Sequence, residues 1–278
     1  MQTFKITIAY DGTNFVGWQR QATGTSIQGL IEDALRELDG RDVAVAGAGR
    51  TDAGVHALGQ VASFSLERTI ETDALVRALN AQLPADVRVL SADRVPAGFH
   101  ARFGAKTKTY RYRICNADVI SPFDRHSAWH VFGALDVDAM NGAARCLEGR
   151  HDFSAFQAGG GTRRTSERVV TMSRVIASGR STAENAEDAE DETGLLLRVP
   201  RVLRGGDSAE SLIVYEITGD GFLRHMVRAI VGSLVEIGRG RWPSERMREV
   251  LASRDRGRAG PTAPAEGLFL VAVEYGDL

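Results

Sequence analysis

Apolar residues recur along the chain in two rhythms. Alternation at every second position predicts strands at 3–10, 60–66, 87–94, 108–115, 169–176, 212–217 and 268–274, and Val43–Ala48 has the same character over a shorter length. Spacing of three and four predicts helices. In Ser26–Leu38 the apolar positions are 27, 30, 31, 34, 35 and 38, and Thr25 with Gln28 forms a T-x-x-Q capping box at its start. Asp73–Leu83 stops at Pro84, and Asp138–Leu147 is followed by Gly149. Phe222–Ile237 is apolar at 222, 223, 226, 227, 230, 234 and 237 before Gly238, and Pro243-Ser244 opens a helix to about Ala252.

Strands and helices alternate in a similar order in the two parts of the 278-residue chain. That order predicts an α+β fold of two similar halves, 1–105 and 106–278. Each half is an antiparallel-rich sheet with helices on one face, and a cleft lies between them. The segment 178–211 breaks the pattern. It is rich in Gly, Ser, Ala and acids, and reads as an insertion in a hairpin carrying a mobile acidic arm. Its inner apolar run, Leu195–Val199, could add a strand.

Composition narrows the class. No apolar run approaches the ~20 residues of a membrane span. Residues 1–8 alternate like a strand and lack signal-peptide architecture, so a cytoplasmic location is expected. The two cysteines, Cys115 and Cys146, are far apart, and the six histidines show no HExxH pairing. No metal site and no disulfide are therefore signalled.

The net charge of −2 hides an uneven distribution. Residues 184–192 hold six acids and no base, and without them the chain is net positive. Between 94 and 116 lie Arg94, Arg102, Lys106, Lys108, Arg111 and Arg113 with no acid, interleaved with Phe99, Phe103, Tyr110 and Tyr112. Bases among aromatics suit an RNA-facing surface, although an ordinary solvated strand face reads the same way.

The candidate chemistry sits in Gly47-Ala48-Gly49-Arg50-Thr51-Asp52-Ala53-Gly54-Val55-His56-Ala57. Small residues surround one carboxylate and one guanidinium. On an extended segment, Arg50 and Asp52 point the same way. A guanidinium beside a carboxylate holds it ionised, as nucleophilic catalysis requires. A structural Arg–Asp pair bracing a turn fits equally well.

This segment resembles the G-R-T-D-A-G-V-H-A signature of the bacterial tRNA pseudouridine synthase A family. The resemblance is collinear over nearly the whole chain. It includes Asp11-Gly12, Gly17-Trp18-Gln19, Ser26-Ile27-Gln28, Phe99-His100-Ala101-Arg102-Phe103 and Lys108-Thr109-Tyr110-Arg111-Tyr112. It continues in His151-Asp152-Phe153, residues 221–228 (GFLRHMVR) and residues 259–264 (AGPTAP). The insertion, Gly104 in place of Ser and Ala229 in place of Asn depart from the pattern.

The resemblance implies the pseudouridine synthase fold and an isomerase that needs no cofactor. Its expected substrate is uridine at positions 38, 39 and 40 of the tRNA anticodon arm, and its expected assembly is a homodimer with one tRNA touching both subunits. It implies Asp52 as the catalytic carboxylate, acting on the ribose carbon or through a glycal. Arg50 would engage phosphate or displace the base, Tyr110 would stack on the extruded uracil, and Leu268 would line its pocket. Arg228, read as one helical turn after Arg224, would pair with Asp52 and keep it charged. Arg20, Arg102, Lys106, Lys108 and Arg111 are candidate phosphate contacts, and His56 is expected to order the loop by hydrogen bonding. A catalytically silent RNA-binding module and an aspartate-nucleophile hydrolase of small molecules remain as alternatives.

Overall fold

The computed structural model describes residues 1–159, 165–178 and 211–276. The order of elements begins with β1 (Gln2–Tyr10), α1 (Ile27–Asp39), β2 (Ala46–Gly47), β3 (His56–Leu66), α2 (Thr72–Gln82) and β4 (Val87–Val95). It continues with β5 (Ala105–Asn116), β6 (Trp129–His130), α3 (Val137–Arg145), β7 (Gly149–Asp152), β8 (Glu167–Ser178), β9 (Ser211–Gly219), α4 (Met226–Gly238), α5 (Arg246–Ser253) and β10 (Leu268–Tyr275).

These strands form one ten-stranded sheet in the order β4-β1-β3-β10-β5-β9-β8-β7, with β2 attached to β3 and β6 to β5. Within it a β-α-β-β-α-β unit occurs twice. The first is β1-α1-β2-β3-α2-β4 and the second is β5-α3-β8-β9-α4-β10. Numbering the strands within each unit gives the same spatial order, 4-1-3-2, in both. The two similar α+β halves thus share one continuous sheet instead of forming two separate ones.

The units differ in their second strand. In the second unit it is β8, 12 residues long; in the first it is β2, only two residues long. β2 pairs with β3 at Ala46↔Ser63 and Gly47↔Ala62. The same edge of β3 takes β10 in parallel at Phe269↔His56 and Leu270↔Ala57. A degenerate strand therefore leaves β3 available to join the halves, and the loop that follows β2 emerges at that junction.

Burial explains the register. β1 buries Phe4, Ile6, Ile8 and Tyr10 at alternate positions. A slip of one residue would expose all four, and each large apolar side chain is worth ~1.5–3 kcal/mol on burial. α1 contributes Ile27, Ile31 and Leu35 to the same cluster, and α4 adds Val227, Ile230, Val231 and Leu234. α4 is buried on nearly all sides. Residues 260–263 press against it. A Cβ on Gly232 would lie 1.7 Å from Pro261 O, and Gly260 N donates to Ser233 Oγ at 2.9 Å.

Several expected elements shift. Val43–Ala48 pairs only at Ala46–Gly47, because Val43 and Val45 turn into the core without a neighbouring strand beside them. The cap of α1 is Ser26, whose Oγ accepts from Gly29 N at 3.2 Å. Gln28 accepts from Arg20 N and donates to Val45 O, so no T-x-x-Q box forms. The helix expected from Phe222 begins at Met226, because His225 has φ 60° and ψ 5° and the chain turns there. Arg224 therefore precedes the helix and is not one turn before Arg228 on it. The last helix begins two residues after Ser244. β8 and β9 pair antiparallel from Val170↔Gly219 to Ser178↔Leu212, so the insertion connects adjacent strands. Its acidic run and Leu195–Val199 lie outside the described residues. No helix among the described residues is long and apolar enough to cross a membrane.

Candidate active site

The loop from Ala48 to Val55 is clamped on three sides. Ala48 N donates to Val61 O at 2.7 Å, and Gln60 Nε2 donates to Gly49 O at 2.9 Å, both on β3. Tyr10, at the end of β1, shares a 2.8 Å hydrogen bond between its hydroxyl and Thr51 Oγ1. Trp18 N donates to Thr51 O at 3.1 Å. That last approach requires Gly17. Its φ is +102°, and a Cβ there would sit 2.5 Å from Thr51 O.

With Thr51 buried by these contacts, Asp52 turns toward α4, its side chain 35% exposed. Two basic groups face it. His225 Nε2 lies 3.4 Å from Asp52 Oδ2, and Arg228 Nη1 lies 3.7 Å from the same oxygen. His225 is the residue at the N-cap of α4 and Arg228 lies in its first turn, and the N-terminal dipole of that helix also favours an anion. Arg228 is itself held, because its Nε donates to Ala263 O at 2.7 Å while Ala263 N donates to Arg228 O. Residues 259–264 therefore aim the guanidinium. His225 is kept below the usual imidazole range, first by burial, with Arg228, Arg224 and Arg256 adding to the effect against Asp52.

The sequence expected Arg50 to hold Asp52. Arg50 is exposed, and among the described residues no ion pair joins it to Asp52. The chain turns just after Asp52, with Val55 N donating to Asp52 O. His225 was not singled out from the sequence. Its only signal was its place inside the GFLRHMVR block, and helical spacing hid the backbone reversal there.

Tyr110 is 7% exposed, and its ring meets Phe222 edge-on at 4.9 Å. Its hydroxyl and the Lys108 stem lie over Gly49, where a Cβ would be 3.9 Å from Tyr110 Oη and 3.6 Å from Lys108 Cε. Leu268, buried at the start of β10, pairs with Tyr112 and shares the Tyr110 face with Leu270. Arg102 is exposed and lies over the Phe103 ring at 5.7 Å, and Lys106 is exposed too. Ala101 anchors that loop by packing with Ala48 and Val61, which places Arg102 beside the catalytic-candidate loop.

Two candidate phosphate contacts are committed elsewhere. Arg111 alternates to the sheet face opposite Tyr110. There its Nε and Nη2 donate to Glu216 Oε1 at 2.9 and 2.7 Å. Arg174 Nε and Nη2 donate to Oε2 at 3.1 and 2.7 Å. Burial works to raise the Glu216 carboxyl, but the hydrogen bonds from Arg174 and Arg111 outweigh it and hold the group below the usual range. Arg20 braces α1 through Glu32, Asp33 and Gly29 O.

His56 is buried, with Nδ1 accepting from Gly12 N at 3.0 Å and Nε2 lying 3.1 Å from Glu266 O. This fits a neutral ring with its proton on Nε2, and burial lowers its pKa. His56 thus ties the Asp11-Gly12 turn to the start of β10. Among the described residues no group of three or more His, Cys, Asp or Glu side chains could hold a metal ion.

A half-exposed carboxylate faced by two basic groups, with an aromatic and apolar wall nearby and exposed cations around it, can meet a base within a polyanion. The comparisons agree on the class. The family model for tRNA pseudouridine synthase matches residues 6–104 and 143–276, and the chain belongs to that family. Its relatives are more particular. Proteins named tRNA pseudouridine synthase A are 43% identical to it in Myxococcus xanthus, over 100% of this chain and 93% of the relative. In Moorella thermoacetica the identity is 44%, and in Afipia carboxidovorans 45%, each over 99% of this chain and 100% of the relative.

Proposed function

We propose that the protein isomerises uridine to pseudouridine at positions 38, 39 and 40 of the tRNA anticodon arm, with Asp52 as the catalytic carboxylate. The observation that carries this reading is Asp52 at the junction of the two β-α-β-β-α-β units, with His225 and Arg228 converging on one of its oxygens.

The reaction breaks the N1–C1′ bond, rotates the uracil and forms a C5–C1′ bond; C5 gives up its proton and N1 gains one, so substrate and product are isomers. Nothing is oxidised or reduced, so no cofactor is called for. Asp52 attacks the ribose carbon or removes a ribose proton to give a glycal. Either route uses the carboxylate oxygen that His225 and Arg228 leave open. Tyr110 and Leu268 bound the uracil pocket, and base–aromatic stacking is worth roughly 1–3 kcal/mol per base. The Tyr110 hydroxyl assists loss of the C5 proton, a reading supported by its position near Gly49 of the Asp52 loop.

A uridine stacked in a stem-loop must be extruded first, at a cost of a few kcal/mol. Arg50, Arg102, Lys106 and Lys108 offset that cost through phosphate contacts, or Arg50 displaces the target base. The enzyme works in the cytoplasm as a homodimer, with one tRNA contacting both subunits. The 1–105 and 106–278 halves supply opposite walls of the site. The test is to map pseudouridines in unmodified tRNA after incubation with the purified protein. Conversion at 38, 39 and 40 is expected; conversion confined to another arm, or none, would overturn the reading.

A further inference from the structure

We propose that His225 is a positioning residue for Asp52: its imidazole fixes Oδ2 so that Oδ1 is presented to the ribose. The proposal rests on Asp52 being the catalytic carboxylate and adds a residue to that site.

Three observations carry it. First, His225 has φ 60°, in the left-handed region that residues with a Cβ rarely take. Such conformations persist where the surroundings over-determine them, and they gather at functional sites. Here the residue stands at the cap of α4 without capping it, since its side chain makes no cap hydrogen bond. The reversal instead carries the ring to Asp52. Second, Nε2 lies 3.4 Å from Oδ2, the same oxygen that Arg228 Nη1 approaches at 3.7 Å. Among the described residues no side chain or amide engages Oδ1. Catalytic hydrogen bonds are often long or poorly aligned before substrate binds and shorten in the reacting complex.

Third, the charged groups around the ring define its form. Asp52 faces it from the 48–55 loop, Arg228 from α4, Arg224 from the preceding loop and Arg256 from the turn before residues 259–264. Burial and the three arginines lower the imidazole's pKa against the opposing pull of Asp52, which leaves Nε2 facing Oδ2 as a neutral polar group and not as a second full cation beside Arg228.

The experiment compares wild type, His225→Gly, His225→Gln and Asp52→Asn. Each is assayed by tritium release from C5-labelled uridine in tRNA, by tRNA binding and by thermal melting. Glycine adopts the left-handed conformation freely, so His225→Gly removes the ring without straining the turn. Its melting temperature is expected to be unchanged or raised, kcat to fall about 10- to 100-fold, and KM to stay within about threefold. Added imidazole should restore turnover in His225→Gly, and His225→Gln, which keeps an amide N–H donor, should retain more turnover than His225→Gly.

Wild-type turnover in His225→Gly would overturn the proposal. So would a kcat loss that imidazole does not relieve, or an effect confined to KM. Asp52→Asn separates this from the underlying reading. It should be inactive with or without imidazole, and turnover by Asp52→Asn would remove Asp52 from the chemistry whatever His225 does.

Discussion

Asp52 and Glu216 each face two basic side chains, yet they are built for different ends. Glu216 is 8% exposed in its side chain, and each of its oxygens takes two hydrogen bonds from one arginine, as short as 2.7 Å. Asp52 is 35% exposed, its neighbours stand off at 3.4 and 3.7 Å, and both attend the same oxygen. A carboxylate with all its hydrogen-bonding positions filled stabilises a sheet and has nothing left for a substrate. One held loosely on a single side is oriented but still reactive. The contrast follows from topology. Glu216 lies where three full strands run side by side, whereas Asp52 lies where β2 has shrunk to two residues and β3 meets β10 at only two positions.

Changing reach at each carboxylate should separate the two roles most sharply. Asp52→Glu keeps the charge but moves the oxygens by one methylene, and misplacement on the order of 1 Å costs about 100-fold in rate. Turnover measured by tritium release should fall by at least that factor, with melting temperature and tRNA binding unchanged.

A smaller loss is expected when one guide is removed. Arg228→Ala should lower kcat about 10- to 100-fold, since Asp52 then loses a cation and the 259–264 segment loses its bond to Arg228 Nε. Single-turnover kinetics at saturating tRNA would check this; an unchanged kcat would mean that the guanidinium does not guide the carboxylate.

The converse change at the outer face should spare chemistry. Glu216→Gln removes the charge from the two-arginine clamp. The variant should lose about 1–2 kcal/mol in urea unfolding, because both arginines are partly exposed. Its turnover should stay within about twofold of wild type. A large loss of turnover would place the outer face in the mechanism.

The smallest effect is a pH dependence of stability. The folded-state pKa of Glu216 is lowered from 4.5, so the unfolded chain binds that proton more readily. The stabilisation is fully present above about 4.5 and is lost as pH falls through the folded value. Urea midpoints should therefore decline below about pH 4.5, less steeply in Glu216→Gln than in wild type.

The same contrast shows what could be read in advance. Alternation in 3–10, 108–115 and 212–217 reports burial directly, so the strands were legible within a residue or a few at their ends. The signature around Asp52 marked the loop, because the small residues that let Trp18 and β3 close on it are visible as letters. Electrostatic partners were harder. Arg50 stood two residues away in sequence but makes no ion pair with Asp52 among the described residues, while His225 and Arg228 lie more than 170 residues further along the chain. The left-handed turn at His225 leaves no trace in hydrophobic spacing, because Phe222 and Leu223 are apolar for the sheet's sake and happen to continue the helical rhythm. Nor does a charge count show that Arg111 faces away from Tyr110. Alternation along the predicted strand gives that facing, but the partner that occupies Arg111 follows only once the register Arg111↔Glu216 is known. His151-Asp152-Phe153 contributes to the fold, with Phe153 buried and Asp152 accepting from Ser154 N.

The most direct measurement is single-turnover tritium release by Asp52→Asn, with tRNA affinity determined on the same preparation. Release at background, with binding within about threefold of wild type, is the expected result. Release at the wild-type rate would contradict the assignment of the chemistry to this carboxylate.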